Sequence, residues 1–281
     1  KLCDTYRTLR YVFEMNEEDF FVHYSQDTDK IDTSYFDEWH TEYENLIGRI
    51  GELPFSNIWI AERLSNKLPE KSILHLGILN SLRSWNYFKI PQSVLAYSNT
   101  GGFGIDGIVS SAIGASLATD KLVFCVLGDL AFFYDLNAVG NRALKKNLRI
   151  LLINNGHGQE FRTYGHRAAQ FGDDTDKFIA AAGHYGNKSK NLVKHYAEDL
   201  GFKYLTADSK TSFERVYKEF VTAKIVDRPI LLEVFVNNAD EIEATRLILG
   251  LNGESAITAK SLAKQILGDK GVKAIKDIFK G

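Results

Sequence analysis

The sequence predicts an α/β fold: a doubly wound, mostly parallel sheet with helices on both faces. Three observations predict it. From Pro54 onward, strand-length apolar runs alternate with stretches of helical spacing. The runs are continuously apolar, as in strands buried on both faces of a parallel sheet. Two of them end in polar clusters, Gly128-Asp129 and Asn154-Asn155, and parallel sheets bind ligands beyond the carboxyl ends of their strands.

The elements follow in order. Residues 1–53 are acidic and aromatic with little periodicity, and are expected to be the end of a preceding domain and a linker, packed by Phe and Tyr side chains. Residues 54–250 form the main domain. In PFSNIWIAERLSNKL, Ile58, Ile60, Ala61 and Leu64 share a helical face and Pro54 stands near its start. SILHLG reads as a strand, SLRSWNYF as a short helix, SVLAYS as a strand and GIVSSAIGASLA as a small-residue helix able to pack closely on a sheet. KLVFCVLG is a strand, DLNAVGNRALKK a helix and LRILLIN a strand. After an irregular stretch come LVKHYAEDLG (helix), FKYLTA (strand), SFERVYKEFVTA (helix), PILLEVFV (strand) and DEIEATRLILG (helix). Residues 251–281 read as an amphipathic helical tail for packing or subunit contact.

Composition excludes several classes. A net charge of −2 offers no basic field to nucleic acid. No apolar run approaches the roughly 20 residues of a membrane span, and no repeat of solenoid period is present. The chain opens on Lys1 without a leader pattern, so a portion of a longer protein is expected. Two cysteines, Cys3 and Cys125, make no disulfide framework. Cys125 lies in an apolar strand, where a buried, reduced thiol in the cytoplasm is the expectation.

Gly102-Phe103-Gly104-Ile105-Asp106-Gly107 spells G-x-G-x-x-G between a strand and a helix, and Asp129 closes the next strand. That is the layout of a dinucleotide fingerprint. One competing reading is therefore an NAD- or FAD-binding oxidoreductase with Asp129 on a ribose. A second is a catalytically inactive assembly domain.

The two polar strand ends suggest different chemistry. One helix and one strand separate them, so they belong to one crossover. Adjacent parallel strands lie about 4.8 Å apart, which lets the Asp129 carboxylate and the Asn155 amide oxygen converge. One anionic and one neutral oxygen suit Mg²⁺, which usually also takes phosphate oxygens. The N–H groups of Leu130 and Ala131 open the following helix and can meet a phosphate. Taken singly, Asp129 reads as a helix cap and Asn154-Asn155 as a turn; together they favour a diphosphate–Mg²⁺ site.

Gly128-Asp129, with Asn155 following in an Asn-Asn pair, resembles the cofactor-binding motif of the thiamine-diphosphate-dependent enzymes. Within that family the wording is most similar to a synthase branch of the menaquinone pathway. Leu130, Tyr134-Asp135-Leu136-Asn137, Asn80-Ser81 and Phe103 to Gly107 carry the likeness. The resemblance implies the thiamine-diphosphate-binding fold, with thiamine diphosphate and Mg²⁺ as cofactors. It implies Asp129, Asn155 and the His157 carbonyl as metal ligands. Asn80, Ser81, Gly128 and the N–H groups of Leu130 and Ala131 would hold the diphosphate. Ile105 would wedge the cofactor into its bent form, and the Phe103 carbonyl would accept from its amino group. The substrate would be a small 2-oxo acid, decarboxylated or joined to an acceptor. The activating Glu would come from an N-terminal pyrimidine-binding domain outside this chain, usually across a homodimer or homotetramer. Two positions depart from the synthase branch: Thr100 and Trp85 stand where it has arginines that serve anionic substrates.

The polar segment GHGQEFRTYGHRAAQFGDD follows the Asn pair. His157, Gln159, Glu160 and Arg162 are its candidate substrate contacts, with Arg162 able to grip a carboxylate bidentately. Read singly, each is a loop residue making local hydrogen bonds. His157, His166, His184 and His195 lack metalloprotease spacing and no Cys joins them, so zinc is not expected. No G-x-S-x-G elbow is present to anchor a hydrolase triad.

Overall fold

The computed structural model describes residues 4, 7–25, 32–102, 104–163, 166–183 and 189–251. They divide into two compact units, Lys1–Arg49 and Ile50–Gly281. The first holds two helices, α1 (Glu17–Tyr24) and α2 (Ser34–Gly48), neither of which buries a side chain. Three acids in the first turn of α1, Glu17, Glu18 and Asp19, complement its dipole. Phe20 packs its ring against Phe13 and Tyr24, at 5.0 and 4.6 Å between centroids. The sequence reading of little periodicity passed over these helices, although Phe36, Trp39, Tyr43, Leu46 and Ile47 recur at helical spacing in α2.

The second unit is an α/β layer structure. Its strands are β1 (Ile73–Leu76), β2 (Leu95–Ser98), β3 (Val123–Gly128), β4 (Leu148–Asn154), β5 (Lys203–Ala207) and β6 (Ile230–Phe235). They form one six-stranded sheet in the order β2-β1-β3-β4-β6-β5. Every pairing is parallel. Around it lie α3 (Asn57–Leu64), α4 (Asn80–Asn86), α5 (Ile108–Ala118), α6 (Asp129–Tyr134), α7 (Asp173–Phe178), α8 (Leu192–Asp199), α9 (Lys210–Phe220) and α10 (Asn238–Leu249).

Alternation along β3 divides its side chains between two cores. Phe124 and Val126 join Leu74, Leu151 and Phe213 on one face, while Val123, Cys125 and Leu127 join Ile108, Ile150 and Phe202 on the other. Central strands buried on both faces read as unbroken apolar runs, which is why the sequence pattern located them. Helix α3 buries Ile58, Ile60, Ala61 and Leu64, and Ser56 caps it by accepting the Trp59 N–H. Burial also pushes the Cys125 thiol up, so it stays protonated and unreactive.

One element differs from the sequence reading. Helical spacing over DLNAVGNRALKK predicts a helix, yet the α-helix lies earlier, at α6, and a single 3-10 turn spans Leu136–Gly140. The cause is tertiary. The Asp135 carboxylate accepts both the Ser110 N–H (2.6 Å) and the Ser110 hydroxyl (2.7 Å) of α5. That leaves Asp135 at φ −112°, ψ 23°, outside the helix, and Gly140-Asn141 then favours a turn. The expected tail helix at 251–281 lies outside the described residues beyond Leu251.

Candidate functional site

The strand order places a topological switch between β1 and β3: the chain leaves β1 toward β2 on one side and continues from β3 toward β4 on the other. Connections diverge there and leave a crevice at the carboxyl ends. A cavity of about 260 Å³ occupies that position. Loops after β1, β2, β3 and β4 each contribute to its wall.

The β1 side is built by Ile78, Leu79, Asn80 and Ser81 at the start of α4. Leu79 holds φ 67°, ψ −116°, a left-handed conformation rare for a bulky residue and costing on the order of 1–3 kcal/mol. Asn99 ties this turn to the β2 loop: its Oδ1 accepts the Ile78 N–H at 3.1 Å, and its Nδ2 donates to the Gly104 carbonyl at 2.5 Å. The same loop brings Ile105 to the cavity.

The opposite side comes from β3 and β4. Asp129 is 1% exposed, and its Oδ2 accepts the Gly156 N–H at 3.0 Å. Gly156 has φ 87°, so glycine alone turns there without strain. Asn155 lines the cavity; its Oδ1 accepts the His157 N–H at 3.2 Å and its Nδ2 donates to Gln159 Oε1 at 3.4 Å. Gly158 approaches the backbone closely, with its N–H on the Ala180 carbonyl at 2.5 Å.

Helix α10 braces the cavity from behind. Asn238 Oδ1 meets His157 Nε2 at 3.3 Å and accepts from Gln159 Nε2 at 3.1 Å. His157 Nε2 also lies 3.0 Å from Gln159 Oε1. Both neighbours are amide oxygens, which accept, so these contacts suit the tautomer in which Nε2 donates. One turn on, buried Glu241 accepts the Asn57 N–H at 2.8 Å and an Asn80 amide N–H at 3.3 Å. Burial pushes its carboxyl up to about 7 against the lowering effect of those two donors. A second buried carboxylate, Glu233 of β6, accepts from Asn154 Nδ2 at 2.8 Å and the Tyr204 hydroxyl at 2.7 Å. Burial raises the pKa of both Glu233 and Tyr204.

The structure brings Asn80, Ser81, Ile105, Gly128, Asp129, Leu130, Ala131, Asn155, His157, Gln159 and Glu160 onto this one cavity. Arg162 is not among its walls. Its guanidinium donates to the Gly172 carbonyl at 2.6 Å and faces Asp176 and Asp173 at 3.4 and 3.8 Å. Phe103 lies outside the described residues. Glu160 is ion-paired with Arg83. Of the two positions that depart from the synthase pattern, Trp85 is buried in the core between α4 and the sheet.

Sequence reasoning missed Asn57, Asn238 and Glu241. Asn57 lies 24 residues before Ser81 in the chain, yet its Nδ2 donates to Ser81 Oγ at 3.3 Å. Its Oδ1 is buried without a hydrogen-bond partner. No local signal distinguishes Glu241 from the acids beside it in DEIEATRLILG; only packing of α10 on α3 shows which one turns inward.

Topology also separates the dinucleotide reading from this site. In that fingerprint the acidic residue ends a strand adjacent to the one preceding the glycines. Here β1 lies between β2 and β3, and Asp129 bonds the β4 loop instead. Among the described residues no group of three or more His, Cys, Asp or Glu is placed to hold a metal. A site built from Asp129, an amide and a backbone carbonyl is of a different kind.

A parallel sheet with a cavity at its switch point, largely apolar in its walls but floored by the buried Asp129 carboxylate and the Asn155 loop, is the architecture of a cofactor-dependent α/β enzyme. The family model described as "Thiamine pyrophosphate enzyme, C-terminal TPP binding domain" matches residues 80–234, more than half of the chain, and the chain belongs to that family. It is similar to 2-succinyl-5-enolpyruvyl-6-hydroxy-3-cyclohexene-1-carboxylate synthases. The Bacteroides fragilis protein is 34% identical over 202 residues, covering 71% of this chain and 35% of the relative. That of Bacteroides thetaiotaomicron is 33% identical over 239 residues, 84% of this chain and 41% of the relative. That of Desulfotalea psychrophila is 33% identical over 234 residues, 83% and 40% respectively. The chain thus spans well under half the length of these relatives. Among the described residues no helix is long and apolar enough to cross a membrane.

Proposed function

We propose that this chain is the diphosphate- and Mg²⁺-binding part of an enzyme that uses thiamine diphosphate to act on a 2-oxo acid, by decarboxylation, carboligation or both. The observation that carries the reading is the single cavity that joins the buried Asp129 carboxylate, the Asn155 side chain and the start of α6. The donor set suits the group. Asp129, Asn155 and the His157 carbonyl offer hard oxygens to Mg²⁺. Asn80, Ser81 and the first-turn N–H groups of Leu130 and Ala131, which have no acceptor within their helix, offer donors to a diphosphate. Gly128 keeps that approach open, and Ile105 gives the cavity an apolar shoulder that would support the cofactor's bent form; by the family resemblance the Phe103 carbonyl would accept from the cofactor's amino group.

When bound, the cofactor supplies an electron sink next to a substrate carbonyl. The residues around it orient and bind. The Asp129 carboxyl lies in a poorly solvated place, where the attraction between a carboxylate and a cation is stronger than in water. His157, Gln159 and Glu160 face the remaining space as candidate substrate contacts. The His157 ring is held through Nε2 by Gln159 and Asn238.

We read residues 1–53 as the end of a middle domain and its linker, 54–250 as the cofactor domain and 251–281 as a helical tail. The partner is an N-terminal pyrimidine-binding domain, in a homodimer or homotetramer, in the cytoplasm where the buried thiol of Cys125 stays reduced. The reading stops at the class of 2-oxo acid, because Trp85 and Thr100 replace arginines of the synthase branch.

Calorimetry on the full-length protein tests this. Thiamine diphosphate is expected to bind only with Mg²⁺ present, and CO₂ release from a panel of 2-oxo acids is expected to follow. Binding of NADH without Mg²⁺ would overturn the reading. Cofactor binding without turnover of any 2-oxo acid would favour an assembly role.

A further inference from the structure

The cavity wall at the start of α4 is made of neutral side chains whose donors and acceptors point either way. A serine hydroxyl rotates, and an Asn amide presents its oxygen or its NH₂ depending on what lies behind it. Something must set those orientations if the wall is to meet an anion. We infer that Glu241 is a positioning residue that sets the polarity of this wall, and this rests on the reading above that the wall receives a diphosphate.

The geometry is specific. Glu241 is 1% exposed, in the first turn of α10, and both carboxylate oxygens are committed. Oε1 accepts the backbone N–H of Asn57, and Oε2 accepts an amide N–H of Asn80. Once ionised, above about pH 7, the carboxylate only accepts, so Asn80 must turn its NH₂ toward Glu241. That amide keeps a second N–H, and the side chain lines the cavity. The backbone bond fixes the first residue of α3, whose side chain then donates from Nδ2 to Ser81 Oγ. A hydroxyl that accepts from an amide has its own hydrogen left over. Ser81 is 3% exposed and lines the cavity, so that hydrogen is available to a ligand oxygen. One buried acceptor thereby orders the Asn80 amide directly and fixes the backbone from which Asn57 reaches Ser81.

The placement of Glu241 argues that it is there for the site and not for stability. An ionised carboxylate in a nearly dry position costs free energy even when two donors meet it. Asp240 beside it and Asp129 across the cavity add like charge. Asn238, three residues earlier on α10, holds His157 and Gln159. The same helix turn therefore braces both walls, and it lies beyond residue 234, where the family match ends.

Glu241→Gln tests the idea with little change of shape. Gln keeps one acceptor but places an NH₂ against Asn80, which then flips and aims its oxygen at the Gln. In full-length protein with Mg²⁺, calorimetry is expected to show the thiamine diphosphate Kd rising about tenfold or more. The ligand-free Tm at about pH 8 is expected to stay level or rise, since a buried charge is gone. In an Asn80→Ala background, E241Q is expected to add less than about threefold, because its route through Asn80 is already lost. A Kd unchanged by E241Q would overturn the inference, as would a weaker Kd accompanied by a matching fall in ligand-free Tm. Should E241Q fail to fold, Glu241→Asp, with both acceptors a methylene further back, is expected to move Kd in the same direction, and an unchanged Kd there would overturn it equally. Wild-type protein with no affinity for the cofactor would overturn the parent reading as well, whereas wild-type binding with unaltered E241Q binding would overturn this inference alone.

Discussion

The Asp129 carboxylate accepts the Gly156 N–H at 3.0 Å, joining the end of β3 to the loop after β4. The two groups lie just past the carboxyl ends of neighbouring parallel strands, β3 and β4, where Gly128 stands opposite Ile153 in the register. One oxygen of a buried acid is thus used to hold the very loop that carries Asn155 and His157.

Asp129→Asn separates the two jobs of that side chain. The amide oxygen still accepts the Gly156 N–H, so the fold is expected to survive with a Tm close to wild type. The negative charge is lost. Mg²⁺-dependent cofactor affinity is expected to fall about 100-fold, or about 2.7 kcal/mol, by titration calorimetry of the full-length protein. Retained affinity would remove Asp129 from the metal site.

Gly158→Ala tests the close approach beneath the cavity. An added Cβ would lie 3.1 Å from the Ala180 carbonyl oxygen, 3.3 Å from the Phe161 ring and 3.4 Å from Leu130 Cδ2. The nearest neighbour is backbone and cannot swing away. The variant is expected to lose about 1–3 kcal/mol of stability and to bind cofactor more weakly, because the loop shifts toward Leu130. Denaturant melts with and without cofactor would show both effects; an unchanged midpoint would refute the crowding.

Glu241 predicts a pH dependence of stability. Its folded pKa is raised to about 7 from 4.5. Between those values the folded protein holds a proton that the unfolded chain has released. Stability is therefore expected to fall as pH rises from about 4.5 to about 7, by on the order of 3 kcal/mol, and to level off above. E241Q is expected to flatten that slope. A wild-type and variant pair with parallel stability–pH curves would show that the carboxyl does not titrate there.

Arg162→Ala discriminates between a substrate grip and a loop brace. The guanidinium is engaged by the Gly172 carbonyl, Asp173 and Asp176. Truncation is expected to loosen residues 159–178, seen as faster amide hydrogen exchange in that segment, with KM for the 2-oxo acid changed less than about threefold. A KM rise of about tenfold or more without added exchange would return Arg162 to the substrate.

Much of the fold is legible in the chain itself. Strands β3 and β4 are buried on both faces, so VFCVLG and LRILLIN carry a signal that needs no context. Helix α3 was legible because its four apolar residues recur at one face. The segment after β3 was not. Its apolar spacing suits a helix, but Asp135 is recruited by Ser110 of another helix, a contact 25 residues away in sequence. Helices α1 and α2 bury no residue; α2 still carries a helical stripe at Phe36, Trp39, Tyr43, Leu46 and Ile47, which the acids around it obscured.

For the site, the residues on strand ends were readable because parallel topology dictates where such ends converge. Asp129, Asn155 and the loop between β4 and α7 follow from that rule. The sequence by itself determined an α/β sheet, the two polar strand ends and their likeness to a thiamine-diphosphate motif. All of these depend on local pattern or on the near-neighbour geometry of consecutive strands. Only the tertiary structure decided that β1 separates β2 from β3, which takes Asp129 away from the glycine fingerprint. It also turned Arg162 toward acids and set Glu241 behind Asn57 and Asn80. Those outcomes depend on contacts between segments up to 184 residues apart, and no local periodicity encodes which of several similar polar side chains a distant backbone N–H will meet.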